Sequence, residues 1–175
     1  MNNRKVLKMY DYVLQYGFDN NTQKYIQNIK YYLKSNNIED KERKWLPHIT
    51  IDLYNCKDQN NFILEINAIV KNIKFFSLDC NNLNDFDHKT LYIEPYNKEK
   101  LLQIKEIFNQ KLDKYRLEHR RKRVYKPHIT LCTNENIDIN TYKLANKKFS
   151  PFVANVEYIW VYKQDMKLIK EYKLE

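Results

Sequence analysis

The sequence predicts an α+β fold in which two similar lobes face each other across a central cleft. The first observation is the tetrapeptide Pro-His-Ile-Thr, which occurs at 47–50 and again at 127–130, so that its two histidines lie 80 positions apart. The second observation is that predicted strands and helices follow the same order around both copies, which indicates an internal duplication. We therefore expect one domain over 1–175 made of two pseudo-repeat lobes, at about 9–83 and 90–174, each a β-sheet with helices on its outer side.

The elements of the first lobe follow from apolar spacing and from capping residues. Segments rich in β-branched and aromatic residues predict strands, and apolar residues at helical spacing behind a Thr or Asp cap predict helices. The predicted elements are a strand at 9–16, a helix that Thr22 caps and that ends near Ser35, the first motif strand at 48–54, a helix that Asp58 caps, and a strand at 75–83.

The second lobe repeats this order and ends with a hairpin. Its predicted elements are a strand at 90–94, a helix at 97–118, the second motif strand at 128–133, a short helix that Asp138 or Asn140 caps, and two strands at 152–162 and 166–174. The first strands, the motif strands and the caps of the second helices correspond between the lobes to within a residue or two. This correspondence is what predicts a duplicated architecture.

Each motif strand alternates polar and apolar residues, which is the period of a half-buried strand. His48 and Thr50 fall on one face of the first motif strand, and His128 and Thr130 fall on the corresponding face of the second. Proline before each histidine suits the first position of a strand, where a missing N–H costs least. Two histidines that merely sit at sheet ends are the alternative, but the shared Pro, Ile and Thr make coincidence remote.

The net charge is +9, which suits an anionic partner such as RNA or a nucleotide. The abundance of Asn and Lys throughout the chain offers a second explanation, a nucleotide bias rather than binding. Gly17 is the only glycine. A phosphate-cradling P-loop or a dinucleotide fingerprint needs several glycines, so the sequence argues against ATP or NAD chemistry of those kinds.

The cysteines are Cys56, Cys80 and Cys132, an odd number without CxxC spacing. This pattern argues against a disulfide framework and against a structural zinc site, and it suits a reducing compartment. The sequence has no apolar run near the length of a membrane helix and no signal-peptide pattern at its N-terminus. We expect a soluble, cytoplasmic and monomeric protein that needs no cofactor and does not bind membranes.

The motifs His48-Ile49-Thr50-Ile51 and His128-Ile129-Thr130-Leu131 resemble those of the 2H phosphoesterase superfamily, also called the RNA ligase-like or cyclic phosphodiesterase family. The resemblance in layout covers about 9–174, and neither motif departs from the family pattern. It implies a bilobal duplicated fold and metal-independent chemistry on 2′,3′-cyclic phosphates or related phosphodiesters, often at RNA ends. It leaves the substrate open, because the family acts on several.

The residues themselves suit this chemistry. Two imidazoles that flank one phosphate form a general base and a general acid, since their ordinary pKa lies near 6.5. His48 and His128 are therefore the candidate catalytic pair, although the sequence does not assign which one is the base. Thr50 and Thr130 are candidates to donate hydrogen bonds to the non-bridging oxygens of the phosphate.

A catalytic zinc would compete for the same histidines, but it usually takes three protein ligands. The remaining histidines, His88 and His119, fall in a predicted turn and beside a basic run, so we expect no metal site. Asp52 shares the predicted face of His48. It is either a residue that orients the imidazole or a solvated carboxylate at the end of a strand.

Two further sets of residues are candidates for substrate binding. The basic segment 111–126 leads into the second motif, and its members Arg123 and Lys126 are candidates to contact an RNA backbone. Cations that favour a helix C-terminus are the alternative. Tyr12 and Tyr92 lie 80 positions apart in the two first strands and are candidates to stack on a base, with ordinary packing as the alternative.

Three functions are compatible with these observations. The leading interpretation is a phosphodiesterase acting on 2′,3′-cyclic phosphates or 2′-5′ bonds in RNA ends or nucleotides. A 2′-5′ RNA end-joining ligase would use the same site in the reverse direction. A non-catalytic nucleotide- or RNA-binding module is the third, but binding alone requires no acid–base pair.

Overall fold

The computed structural model describes residues 10–38, 40 and 45–175. This part of the chain contains both strands and helices, and the predicted α+β class is confirmed. In chain order the elements are β1 (Tyr12–Phe18), α1 (Asn20–Ser35), β2 (His48–Tyr54), α2 (Gln59–Val70), β3 (Phe76–Phe86), β4 (Thr90–Pro95), α3 (Glu99–Lys111), α4 (Glu118–Arg121), β5 (Ile129–Thr133), α5 (Ile139–Asn146), β6 (Phe152–Lys163) and β7 (Leu168–Lys173).

The strands form one antiparallel sheet in the order β2-β1-β6-β3-β4-β5, with β7 paired to β6. Strand β6 joins the two parts of this sheet because it is long enough to have two sets of partners. Its first residues, 152–156, pair with β3, whereas residues 158–162 lie between β1 and β7. One half of the sheet therefore contains β2, β1 and β7, and the other half contains β3, β4 and β5.

These halves do not coincide with the segments 9–83 and 90–174 taken from the sequence. Strand β3 comes from the first segment but pairs with β4, and β6 comes from the second segment but pairs with β1. The turn between β3 and β4 explains the first pairing. Asp87 and His88 have φ values of 51° and 54°, as a tight hairpin requires, and a hairpin pairs strands that are neighbours in sequence. Residue 9 lies outside the described residues.

The helices also connect the two segments. Helix α1 packs against α5 and β5, and α2 packs against α3. The hydroxyl of Tyr16 in β1 donates a 3.2 Å hydrogen bond to the carbonyl oxygen of Leu101 in α3, which ties the start of one segment to the other. Apolar residues from both segments therefore bury one shared core. No helix in the described part of the chain is long and apolar enough to cross a membrane.

The segment after α3 differs from its prediction. The sequence predicts one helix over 97–118, but α3 ends at Lys111 and a 3₁₀ turn, Asp113–Tyr115, follows it. The reason is that this segment is held against β2. Asn55 donates its backbone N–H to the carbonyl of Tyr115 at 2.8 Å, and Arg116 forms a β-bridge with Tyr54. The chain therefore turns away from the helix axis and carries its basic residues towards the first motif strand.

Gly17 marks a close approach beside the first motif. It is the residue of β1 that pairs with His48. A Cβ atom at this position would lie 2.5 Å from Cζ2 of Trp160, a distance that side chains do not tolerate. The indole of Trp160 is held in place because its Nε1 donates a 2.8 Å hydrogen bond to Glu171. The single glycine of the chain is therefore needed for packing next to the start of β2.

Candidate active site

The two motif strands meet in one cleft. In the strand order β2 and β5 lie at opposite ends, yet they contact each other, so the sheet curls until its ends meet. A cavity of about 690 Å³ is lined by His48 and Thr50 of β2, by His128, which immediately precedes β5, and by Thr130 of β5. The fold thus brings together two histidines and two threonines that are far apart in sequence.

The same irregularity follows each motif threonine. Thr50 pairs with Gln15 of β1, but the next pair joins Asp52 to Leu14, so Ile51 is an extra, unpaired residue. In the other half Thr130 pairs with Tyr92, and the next pair joins Cys132 to Leu91. A β-bulge of this kind twists a strand and re-aims its side chains. Both motifs therefore have the same local backbone plan.

The two imidazoles are also held in the same way. Nδ1 of His48 lies 2.7 Å from the carbonyl oxygen of Leu46, and Nδ1 of His128 lies 2.7 Å from the carbonyl oxygen of Lys126. A carbonyl oxygen only accepts, so each Nδ1 must carry the hydrogen. Nε2 is then the nitrogen that gains or loses a proton in both residues. This arrangement suits a pair of proton-transfer groups.

Burial lowers the pKa of both histidines. The pKa of His48 falls from 6.5 to about 4, mainly because of burial, with the positive charges of Lys30 and His128 adding to the effect. The pKa of His128 is also lowered, mainly by burial and further by Arg123 and Arg120. Both imidazoles are therefore neutral at neutral pH until a negative charge enters the cleft.

The model of the 2′-5′ RNA ligase superfamily matches residues 18–167 of the chain. The chain belongs to this superfamily. The resemblance to 2H phosphoesterases that the motifs predict is thereby confirmed. No curated protein sequence matches the chain.

Solved structures of two bacterial proteins share the fold. The crystal structure of E. coli LigT complexed with 3′-AMP is 11% identical, with a TM-score of 0.65, and the match covers 94% of this chain and 98% of LigT. TT0787 of Thermus thermophilus is also 11% identical, with a TM-score of 0.66 and coverage of 94% and 97%. At this identity the likeness extends to the fold of the superfamily over nearly the whole length of each chain.

Aromatic rings flank each histidine of this superfamily member. Trp45 lies edge-on to His48, with ring centroids 6.0 Å apart, and Phe86 lies edge-on to His128 at 4.8 Å. Both rings line the cleft. Tyr92, a predicted base-stacking residue, packs behind His128 at 5.4 Å and stacks on Phe86 at 4.3 Å. It is 6% exposed and does not line the cavity.

Tyr12, the other predicted stacking residue, lies away from the cleft. Its ring packs against Phe62 at 5.1 Å in the core, and its hydroxyl donates to Oε1 of Gln59. Tyr92 pairs with the second motif threonine, Thr130, but the residue of β1 that pairs with the first, Thr50, is Gln15. The counterpart of Tyr92 is therefore Gln15, three positions after Tyr12, and the predicted equivalence of the two tyrosines is wrong. Gln15 lines the cleft instead of Tyr12, and sequence spacing does not indicate this.

Two of the residues predicted to bind substrate are basic and lie at the cleft. Arg123 and Lys126 are exposed and line the cleft. Arg123 is also close enough to His128 to lower its pKa. The other histidines lie elsewhere, His88 in the turn after β3 and His119 in α4. Within the described ranges no group of three or more His, Cys, Asp or Glu side chains could hold a metal ion.

Asp52 differs from both roles that the sequence suggests for it. It neither orients His48, whose Nδ1 is taken by Leu46, nor faces solvent, since its side chain is 1% exposed. Its carboxylate instead binds three cations. Lys105 and Arg116, the latter through Nε at 2.9 Å, bind Oδ2, and Nε of Arg120 binds Oδ1 at 2.9 Å. We call these four residues the cationic cluster.

The cationic cluster contains three cations and one carboxylate, and this imbalance shifts the pKa values of Asp52 and Lys105. Burial alone would raise the pKa of Asp52, but Lys105 and Arg120 lower it below its usual value. Burial lowers the pKa of Lys105, and the charges of Arg116 and Arg120 lower it further against the opposing effect of Asp52. The carboxylate is firmly ionised, whereas the cations repel one another. The cluster therefore carries excess positive charge at the edge of the cleft.

Proposed function

We propose that this protein is a metal-independent phosphodiesterase that hydrolyses 2′,3′-cyclic phosphates or 2′-5′ phosphodiester bonds in RNA ends or nucleotides. The observation that carries this proposal is the matched pair of histidines. Two imidazoles from opposed strands line one cleft, and the same backbone contact at Nδ1 leaves Nε2 as the reactive nitrogen of each. Binding alone would not require two such groups.

In the proposed step a phosphate lies between the two imidazoles. One neutral histidine takes a proton from water as the water oxygen forms a bond to phosphorus. The other histidine, protonated, gives its proton to the ribose oxygen as the bond between that oxygen and phosphorus breaks. The product is a phosphomonoester, and exchange of protons with solvent restores the starting state of the pair.

We assign His48 as the base and His128 as the acid. A base must be neutral before it accepts a proton, and the lowered pKa of His48, about 4, keeps it neutral over the widest range of pH. The acid must become protonated when substrate binds, and the negative charge of the phosphate favours an imidazolium. Arg123 and Lys126 beside His128 attract that phosphate to the same side of the cleft.

The threonines supply the remaining contacts. Thr50 and Thr130 are half-buried and line the cleft beside the histidines. Hydroxyl donors aimed at the non-bridging oxygens stabilise the charge that develops there in the transition state. Tyr125 fixes the backbone at this point, because its hydroxyl donates a 3.0 Å hydrogen bond to the carbonyl oxygen of Thr50.

The solved relatives support a nucleotide as the partner. The crystal structures of E. coli LigT include complexes with 3′-AMP, phosphate, ATP and NADP+. 3′-AMP carries its phosphate on the ribose oxygen at which opening of a 2′,3′-cyclic phosphate can leave it. By analogy we propose that an RNA end or a nucleotide occupies the cleft of this protein.

The experiment that tests the proposal is turnover of a short RNA ending in a 2′,3′-cyclic phosphate, with EDTA present. We expect ring opening that persists in EDTA and falls by about 10²–10⁴-fold in His48→Ala and in His128→Ala. His88→Asn, at an exposed histidine in the β3–β4 turn, is the matched control and should retain full activity, because Asn tolerates the positive φ of this position. Near-normal turnover in either motif variant, or joined RNA strands as the only product, would contradict the proposal.

A further inference from the structure

The cationic cluster is arranged like an anion site rather than like a balanced ion pair. Lys105, Arg116 and Arg120 have side chains that are 6%, 10% and 15% exposed, and they share the single carboxylate of Asp52. Desolvated charge is costly unless it is compensated. Two of the three positive charges have no counterpart within the cluster, so a bound anion would supply what is missing.

The surrounding acidic residues do not remove this excess. Asp113 approaches Nη1 of Arg116 at 3.7 Å, but its side chain is 55% exposed and it also pairs with Arg121. Asn109 accepts from Lys105 but is neutral. Arg120 uses Nε for Asp52, and no acceptor within the described residues contacts its two terminal nitrogens. Those nitrogens form the planar pair of donors that suits a phosphate.

The cluster lies next to the proposed reaction site. All four of its members line the same cleft as the histidines. Asp52 follows Thr50 by two residues on β2, with the bulge at Ile51 between them, so the two residues are at most about 7 Å apart along the strand. Tyr125 connects the motif strand to the cluster, since its hydroxyl donates to the carbonyl oxygen of Thr50 and its ring lies 5.7 Å from Nζ of Lys105. A ligand held between the histidines would therefore extend towards the cluster.

We propose that the cationic cluster is a second phosphate subsite, which binds a phosphate one nucleoside away from the phosphate that reacts between His48 and His128. This inference rests on the proposed function and narrows its substrate class. The preferred substrate would be an oligonucleotide, or a nucleotide that also carries a 5′-phosphate. A nucleoside with only one cyclic phosphate would leave the subsite empty.

The test compares equilibrium binding of three product-like ligands that the enzyme does not turn over. Adenosine 3′-monophosphate has one phosphate, adenosine 3′,5′-bisphosphate adds a terminal one, and a diadenosine nucleotide with a 3′-phosphate adds an internal one. Calorimetric titration should give at least about tenfold tighter binding for a ligand with two phosphates, because charged hydrogen bonds to the second phosphate are gained. Which of the two binds more tightly identifies the source of the second phosphate.

Two variants locate the effect. Arg120→Gln should lose most of the preference for the second phosphate. Lys122→Gln removes a charge from the same segment, but Lys122 is 81% exposed and pairs with Glu118. This matched control should keep the preference. The subsite would be overturned if the unaltered protein bound ligands with one and with two phosphates equally well. It would also be overturned if Arg120→Gln still bound the two-phosphate ligands more tightly.

A second measurement does not depend on the fold of a variant. In the unaltered protein, the Nε–H resonances of Arg116 and Arg120 should shift during titration with inorganic phosphate, and unchanged resonances would contradict the proposal. If the bisphosphate binds at the cluster but the RNA assay finds no hydrolysis, the subsite stands and the phosphodiesterase proposal falls. If the RNA is hydrolysed but ligands with two phosphates bind no more tightly than those with one, the phosphodiesterase proposal stands and the subsite falls.

Discussion

Strands β2 and β5 present the same histidine and threonine but differ four residues after the histidine, where β2 has Asp52 and β5 has Cys132. Both residues are buried, and both follow a bulge. Asp52 gathers three cations, whereas burial raises the pKa of Cys132 to about 11 and leaves it an un-ionised thiol. The two sides of the cleft thus share the histidine and threonine that we propose for catalysis and differ in the charge that surrounds them.

This difference suits the asymmetric substrate that we propose for a site made of two matched motifs. A symmetric pair of imidazoles by itself does not distinguish the two ends of a nucleotide. The cationic cluster on the β2 side and the aromatic pair Phe86 and Tyr92 on the β5 side make the two directions unequal. We therefore expect the shared residues to determine turnover and the unshared ones to determine stability and orientation.

The largest contrast between the two sides should be in stability. Asp52→Asn leaves one buried and two largely buried cations without their carboxylate and should lower the free energy of unfolding by about 3–5 kcal/mol. Cys132→Ser, the matched change on β5, should cost about 1–3 kcal/mol. Urea unfolding at neutral pH measures both.

The pH dependence gives the control for Asp52. The pKa of Asp52 is lowered in the folded protein. Its contribution to the free energy of unfolding is therefore fully present above its unfolded pKa of about 3.9 and is lost as the pH falls through its pKa in the folded protein. The gap between the unaltered protein and Asp52→Asn should therefore close in acid. If Asp52→Asn and Cys132→Ser lowered the free energy of unfolding equally at neutral pH, the proposed difference between β2 and β5 would be contradicted.

The next effect should be equal on the two sides. Thr50→Ala and Thr130→Ala should each lower kcat by about 10–100-fold, because each removes one hydrogen bond to a charged phosphate. Thr→Ser at either position keeps the hydroxyl and is the control. If only one of the two alanine variants loses activity, the phosphate is held from one side only, and the equivalence of the two motifs does not extend to catalysis.

The smallest effect should be a shift in the pH profile of kcat/KM, which reports the free enzyme. The base must be neutral and the acid protonated, and the pKa values of both histidines are lowered from 6.5. Activity should therefore fall as the pH drops towards about 4, where His48 becomes protonated, and fall again above a limit that lies below 6.5, where His128 loses its proton. If kcat/KM began to fall only above neutral pH, the lowered pKa of His128 would be contradicted.

The sequence predicted the parts of the site that are local. His48 and Thr50 lie on one strand, so alternation alone places them together, and the same holds for His128 and Thr130. Most helices and strands were also recognisable from apolar spacing, and the predicted caps Asp58 and Asp138 accept from the N–H groups of Asn61 and Thr141. The predicted Thr22 cap is wrong, because α1 begins at Asn20 and its cap is Asp19, whose side chain accepts from the N–H group of Thr22.

The sequence did not predict the contacts that depend on tertiary structure. Asp52 meets Arg116 and Arg120 because α3 ends in a 3₁₀ turn, after which Arg116 bridges to β2, and no local pattern predicts that bridge. Lys105 contacts Asp52 from α3 itself, which is also a contact between residues distant in sequence. Tyr12 and Tyr92 would be equivalent only if the offset of 80 positions between the two motifs also held for the strands β1 and β4. The chain between β1 and β2 does not keep that offset, and Gln15 occupies the matching position.

The central claim is that one histidine acts as base and the other as acid, and replacing the leaving group tests it most directly. A nucleoside 3′-(p-nitrophenyl phosphate) releases a stable anion that needs no proton. With this substrate His128→Ala should recover most of its lost kcat relative to the ribose leaving group, whereas His48→Ala should remain about 10²–10⁴-fold impaired. Equal recovery in both variants, or recovery in neither, would contradict a division of roles between two matched imidazoles.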